Sequence, residues 1–449
     1  MEEKSSQTPV PQTDFSVKKA RRRSWLHFLA CCVSMISIGW VDGSSGPLIP
    51  LMQQQFHVNY TLVSLIFIVN TVGCLTAAAI NVFYSEELVL GKATVTAALA
   101  QIIANALQAA GIRLPFPVFV ISYYICGIGV AMQDAQANGY MASVKRNGAT
   151  KMGVMHAAYG VGALVAPLVS TQFSNHPSFW SLFYVVSTGL GIINLICLAV
   201  IFQFKGKEQC LIEEGEGIER SESSSTAAGQ VHWRQIIGSR PVLLVAAFLL
   251  CYVGTEVTQG NWSVSYIINE RDGGTASGYV SAGFFGGLTI GRVILLPLNS
   301  WIGEERVMYL YLVICIGFQL VVWLVPSLVT GALFVSFIGV LLGPFYPIAM
   351  NVCGRTLPPH ILTGSIGLIG AFSASGGALV PFATGAIAQA AGIWSLQPLM
   401  VGMLALQGVI WILEVPKQPV QVKSSESRHP TRSSPTSSPA LDPEKNIRE

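Results

Sequence analysis

Apolar residues in this chain come in long blocks, each about the length of a membrane crossing, and polar residues fill the gaps between them. A helix needs ~20 apolar residues to span a hydrocarbon core of about 30 Å. Twelve blocks meet that length, near 26–49, 60–83, 90–111, 115–141, 152–173, 180–203, 241–267, 277–299, 307–326, 329–352, 362–391 and 395–415. The pattern predicts an all-α membrane protein of twelve transmembrane helices in two six-helix, pseudo-symmetric bundles. The expected divisions are an N-terminal tail (1–24), a first bundle (25–204), a linker (205–240), a second bundle (241–416) and a C-terminal tail (417–449). The linker carries Glu213, Glu214, Glu216, Glu219 and the run Ser223–Ser225. The C-terminal tail, rich in Ser, Pro and charge, reads as disordered.

Composition agrees with this reading. Hydrophobic residues make up 51% and charged residues 11% of the chain, and the mean hydropathy is +0.54. Soluble domains carry about 25% charged residues, so most of this surface must face lipid. A net charge of +3 with no basic stripe away from the membrane flanks points to no nucleic-acid partner. Lys18, Lys19, Arg21, Arg22 and Arg23 lead into an apolar run too long for a signal peptide. With a cytoplasmic N-terminus, all of the 26 Lys and Arg except Arg113 and Arg271 fall on the cytoplasmic side. Both termini are therefore expected in the cytoplasm, with the plasma membrane as the expected site. The nine cysteines lie mostly in apolar runs, where Cys acts as a small hydrophobe. No Cys/His spacing fits a metal and no cofactor is expected. No nucleophile–base pairing or His-Glu-x-x-His motif points to an enzyme.

Sliding the chain on itself by 213–215 residues exposes a repeat. Gly73-Cys-Leu75-Thr76 matches Gly286-Gly-Leu288-Thr289, and Gly162-Ala-Leu-Val165 with Pro167 matches Gly377-Ala-Leu-Val380 with Pro381. Asp42 falls on Glu256 and Asn138 on Asn351. Each match pairs span n with span n+6. Parallel repeats of this kind place a binding site between the halves near the midplane.

Ionisable groups at membrane depth cost at least ~2.5 kcal/mol and mark candidate sites. Asp42 and Glu256 are either proton-coupling carboxylates or solvated groups of an outer vestibule. In the fourth span Gln133, Asp134, Gln136, Asn138 and Tyr140 gather near one face. His156 and Tyr159 follow in the fifth, where Asp134 and His156 are expected at similar depth, as a proton relay or as a structural bond between the two helices. Gln259 and Asn261 offer hydrogen bonds to a hydroxylated solute; Trp262 is a platform for it or an interfacial belt residue. Asn351 joins the binding set as the repeat partner of Asn138. Arg292 reads as a gate or structural residue that snorkels to the headgroups or pairs with Glu304 or Glu305. Glycines from Gly364 to Gly377 suit close packing and bending, and Pro344 and Pro347 should kink the tenth span. Asn59-Tyr-Thr61 is a weak glycosylation sequon.

Over residues 25–416 the chain resembles the major facilitator superfamily, and more narrowly its fucose-permease-like branch with its fungal members. The resemblance rests on Gly39-Trp-Val-Asp42-Gly, Gln133-Asp134-Ala-Gln-Ala-Asn138 and His156-Ala-Ala-Tyr159-Gly-Val-Gly. Tyr252-Val-Gly-Thr-Glu256-Val-Thr-Gln-Gly260-Asn-Trp262 and Gly286-Gly-Leu-Thr-Ile-Gly-Arg292 add to it. It implies a secondary carrier working by alternating access, with protons, a small-molecule solute and the lipid bilayer as partners, acting as a monomer. In the fucose permease an acidic residue of the first helix handles the proton and one of the fourth contacts sugar, roles the resemblance assigns to Asp42 and Asp134. The loop after the second span, Ser85-Glu-Glu-Leu-Val-Leu-Gly91-Lys92, lacks most of the family's basic residues, whereas Gly303-Glu-Glu-Arg306 keeps more of them. Uptake of a sugar-like solute and export of a secondary metabolite both fit; the alternative is a solute sensor that keeps the carrier fold without transporting.

Overall fold

A computed structural model describes residues 14–84, 89–215, 233–357 and 359–414. All regular elements among them are helical, as a lipid-embedded chain requires, because each backbone N–H and C=O must find its partner without water. The spans are α1 (Asp14–Ser44), α2 (Tyr60–Phe83), α3 (Leu90–Ala109), α4 (Phe116–Met141), α5 (Gly148–Ser174) and α6 (Phe183–Phe202). After the linker come α7 (Arg240–Glu270), α8 (Tyr279–Ile294), α9 (Glu304–Leu324), α10 (Leu328–Thr356), α11 (Pro359–Ala391) and α12 (Leu396–Glu414). Eleven spans cross singly; α8 completes the twelve together with a second piece, Leu296–Ile302, bent 52° from it. Pro297 in the first turn of that piece removes a donor that would have carried the helix straight on. The tenth span also breaks, at Gly343–Pro344, while Pro347 sits harmlessly in the first turn of its second half.

Several boundaries move outward from the apolar blocks. Helix α1 begins at Asp14 because Lys and Arg are good helix formers; its 31 residues cover about 46 Å, so the basic end stands clear of the core. Part of the linker is ordered as well, as helices Lys207–Glu213 and Trp233–Gly238. Lys205 bonds Glu213, and His27 and Tyr140 hold the buried Glu214. The Lys205 bond keeps the Glu213 carboxyl below the ordinary carboxylate range, against the opposing pull of burial. Glu216, Glu219, Ser223–Ser225, residues 85–88 of the loop after α2 and the C-terminal tail lie outside the described residues.

The repeat is visible in the packing. Helix α1 lies along α5, α2 along α4, and α3 against α4 and α6; in the second half α7 lies along α11, α8 along α10, and α9 against α10 and α12. Glycines make these contacts close. A Cβ on Gly162 would strike the Ile36 carbonyl, and one on Gly376 the Leu250 carbonyl, both residues displaced by 214. Likewise Gly73 meets Tyr124 and Gly127 meets Asn70, as Gly287 meets Ser336 and Gly339 meets Phe284. The shift is thus 214 for α2/α8 and 212 for α4/α10. This corrects the sequence alignment by one residue: Gly73 corresponds to Gly287, Gly162 to Gly376, and Asn138 to Met350 rather than Asn351. Asp42 and Glu256 remain partners at 214, as do Pro167 and Pro381, each inside its helix.

The halves meet through α5 on α8 and α2 on α11. At the distal face, opposite the start of α1 and the linker, they are sealed together. The Tyr60 N–H donates to Gln389 Oε1 (3.2 Å), and the Gln172 amide bonds the Tyr279 hydroxyl. Gly278 is wedged against Thr171 and Pro47, and Gly385 against Ser64 and Tyr60. Toward the terminal face, by contrast, His156 of α5 and Asn351 of α10 are exposed. A side chain added at Gly153, Gly354, Gly367 or Gly370 would meet open space, whereas Gly376 and Gly377 pack against α7. The passage between the halves is closed distally and open at the terminal end.

Candidate functional site

Two glycines place the first carboxylate. Gly39 and Gly43 sit on either side of Asp42, and side chains there would strike the Tyr159 and Ala163 carbonyls of α5. With α1 pressed so closely on α5, the Tyr159 hydroxyl donates to Asp42 Oδ2 at 2.9 Å. One turn apart on α4, Asn138 Nδ2 donates to Asp134 Oδ1 at 2.9 Å. Glu256 occupies the place on α7 that Asp42 has on α1. Its neighbours are Arg292 of α8 and Tyr252, one turn before it. The Tyr252 hydroxyl is buried beside both charges, and the Arg292 Nε is buried and unpartnered.

These groups share one space. Asp42 is within electrostatic reach of Asp134 and Glu256; Tyr346 of α10 is within reach of Asp134, Glu256 and Arg292. Arg292 lies near Glu256 and Tyr252 within its own half and near Tyr159 across the junction of the halves. Three carboxylates and one guanidinium therefore line a low-dielectric cleft, with tyrosine hydroxyls between them. Such a set can hold a proton on a carboxylate and offer several donors and acceptors to a polar solute.

Other expected residues lie elsewhere. Gln133 is fully buried and faces away from the passage: its Oε1 accepts from Ser34 of α1 (2.9 Å) and Asn194 of α6 (2.6 Å), and its Nε2 donates to Gln101 of α3 (2.9 Å). One residue along a helix turns about 100°, enough to separate Gln133 from Asp134. Nothing joins Asp134 to His156: α4 packs on α2 and α3, α5 on α1 and α8, and α4 and α5 themselves barely touch. The exposed His156 stands nearer Arg292. Asn351 donates to Glu304 Oε1 (3.1 Å) at the terminal rim, where Arg355 Nη2 pairs with Glu304 Oε2 (2.8 Å).

On α7, Trp262 is fully buried, with its Nε1 donating to the Pro381 carbonyl (3.0 Å) and its ring against Tyr60 and Phe67. It belongs to the distal seal, not to a lipid belt. Asn261 donates back to Val257 (2.9 Å). Gln259 is also buried, and neither end of its amide has a partner. Asn59 Oδ1 caps α2 by accepting from the Leu62 N–H (2.8 Å).

Arg292 is the main relocation. Side chains of a helix lean toward its N-terminus, which for α8 is the distal end, so the guanidinium reaches into the cleft instead of toward the headgroups. Glu304, one of its two expected partners, is taken by Arg355. Tyr346 went unnoticed in the sequence, although the corrected shift of 212 places it on Asp134. Tyr252 was visible as part of a motif, but an apolar ring gave no sign of the hydroxyl's setting.

The comparisons with known proteins accord with this architecture. Residues 29–381 match the model of the Major Facilitator Superfamily. A Saccharomyces cerevisiae relative, bypass of stop codon protein 6, is 26% identical over 423 residues, covering 86% of this chain and 82% of its own. Among solved structures, a D-xylose–proton symporter superposes with a TM-score of 0.72 at 11% identity, covering 88% of this chain and 98% of that one. A nucleoside transporter gives 0.68 at 12% (87% and 98%), and the E. coli fucose:proton symporter 0.59 at 16% (88% and 98%). A twelve-helix repeat with its polar groups in the cleft between the halves, matched by that family model over most of its length, belongs to the Major Facilitator Superfamily: this chain is a membrane transporter, not an enzyme.

Proposed function

We propose that the chain is a proton-coupled carrier that moves a small hydroxylated organic solute across the membrane by alternating access. The observation that carries this reading is the hydrogen bond from Tyr159 to Asp42, with Arg292 near Glu256 at the repeat-related position. In this reading Asp42 takes up and releases the proton, and Arg292 steadies Glu256 when it is ionised. Asp134, Asn138 and Tyr159 bind the solute. Gln259, the buried amide without partners, meets it when the distal end opens. His156 stands at the terminal mouth of the proton path, while Gln133, Trp262 and Asn351 serve packing, closure and the rim. Similarity to the fucose:proton and xylose–proton symporters supports a sugar-like solute and the fucose-permease-like branch. The basic flanks support cytoplasmic termini at the plasma membrane, and a cleft complete within one chain supports a monomer.

Purified protein in proteoliposomes, with an imposed pH gradient and a panel of labelled hexoses, pentoses and nucleosides, tests this. At least one solute should accumulate with the gradient, and Asp42→Asn should abolish accumulation while leaving solute exchange. Accumulation indifferent to the gradient, with Asp42→Asn behaving as wild type, would overturn proton coupling through Asp42. Binding without any exchange would instead establish a sensor.

A further inference from the structure

Two basic runs far apart in sequence converge at the terminal face. Arg21, Ser24 and Trp25 of α1, Arg146 and Asn147 before α5, Lys151 in its first turn and Glu214 of the linker line a recess of ≈ 80 Å³, several times the ~10–15 Å³ that one water needs. Lys151 Nζ is steered into place by a 2.7 Å bond to Ser24 Oγ. Asn147, at φ 55°, starts α5 without a side-chain cap, so the first-turn amides add their partial positive charge. Among the described residues of the lining the one carboxylate is Glu214, whose Oε1 is occupied by His27 and Tyr140 and whose Oε2 is buried without a partner. Arg21 and Lys151 thus outweigh the single described carboxylate at the back of the recess.

This is not the transport cleft. Arg21 and Asp42 lie 21 residues apart on α1, about 30 Å along the axis. Trp25 and Leu29, one turn apart on the same helix, are each 51% exposed, forming an apolar stripe that runs from the recess toward the middle of the span. An indole at the edge of a span marks the headgroup level. A cationic pocket at that level, with an apolar stripe leading from it, matches a phosphate attached to acyl chains.

We propose that this recess binds the phosphate group of an anionic phospholipid of the adjacent leaflet, with Arg21 and Lys151 on the phosphate and the acyl chains along Trp25 and Leu29. Each cation held against the phosphate contributes about fivefold to such binding, so removing two should cost ~30-fold.

The test is native mass spectrometry of the full-length protein titrated with phosphatidic acid or phosphatidylcholine. Wild type should retain phosphatidic acid in preference, and R21Q/K151Q should weaken that retention by ~30-fold. The conservative pair R21K/K151R should keep it, as should K19Q/R22Q, which removes the same charge from exposed positions outside the recess. An unchanged unfolding temperature in R21Q/K151Q separates lost binding from lost fold; were it to fall, K151Q alone should still show the ~5-fold step. Equal retention by R21Q/K151Q, or equal loss in K19Q/R22Q, would overturn the site. Complete displacement of phosphatidic acid by inorganic phosphate, at concentrations that leave lipid elsewhere undisturbed, would assign the recess to free phosphate and overturn the lipid proposal.

Discussion

Gln133 and Asp134 are consecutive polar residues in one helix with opposite fates. The amide of Gln133 ties α1, α3 and α6 to α4 at full burial, whereas Asp134 keeps its carboxylate by the cleft with Asn138. Removing a buried partner leaves its mates unsatisfied at ~1–3 kcal/mol each. Gln133→Leu should therefore lower the unfolding temperature in detergent while leaving the apparent solute affinity of the surviving protein unchanged. A change in affinity at unchanged stability would instead put Gln133 in the binding site. Sequence alone listed the two side chains together because periodicity gives a residue's angle around the helix, and the neighbours at that angle come only with the fold. Arg292 failed for a related reason: its distance from the end of the span was counted, but the lean of the side chain was not.

At the scale of elements, the contacts of α1 with α5 and of α7 with α11 do the positioning. The glycines that permit them are legible in the sequence as a repeated motif, but doublets such as Gly286-Gly287 and Gly376-Gly377 hide the register by one residue. At that shifted register Asn351, instead of Met350, falls opposite Asn138, and Tyr346 loses its match with Asp134. Gly39→Val would drive a side chain into the Tyr159 carbonyl and lift Asp42 from its hydrogen bond. Transport should fall at least tenfold, and the unfolding temperature should drop. Gly153→Val, in the same helix pair but with open space around it, should pass both assays near wild type. Equal loss in the two variants would mean that helix propensity, not packing, is being measured.

For the whole molecule, twelve spans and their twofold division were readable because lipid leaves a buried chain few options, and because a duplicated pattern reinforces itself. Which end of the passage is shut was not readable. That depends on contacts such as Tyr60 with Gln389, which are 329 residues apart and share no motif. In a cysteine-free background, the pair Tyr60→Cys/Gln389→Cys should crosslink when the distal end is closed. Transport should stop on oxidation and return on reduction. A crosslinked protein that still transports would show that these two ends do not separate during the cycle.

The distal seal has a further consequence. Behind it, Thr258, Gln259, Ser263 and Ser265 of α7 and Ser281 of α8 keep buried polar atoms without partners, each dearer by ~1–3 kcal/mol than when hydrated. Parting the halves at this end readmits water to those at the seam, such as Ser281 beside Gly46, so the opened form binds more solvent than the sealed one. The balance between the two forms then answers to water activity: osmolytes too large to follow water into the cleft favour the sealed form. The carrier's resting state is in this sense set by osmotic pressure as well as by its cargo.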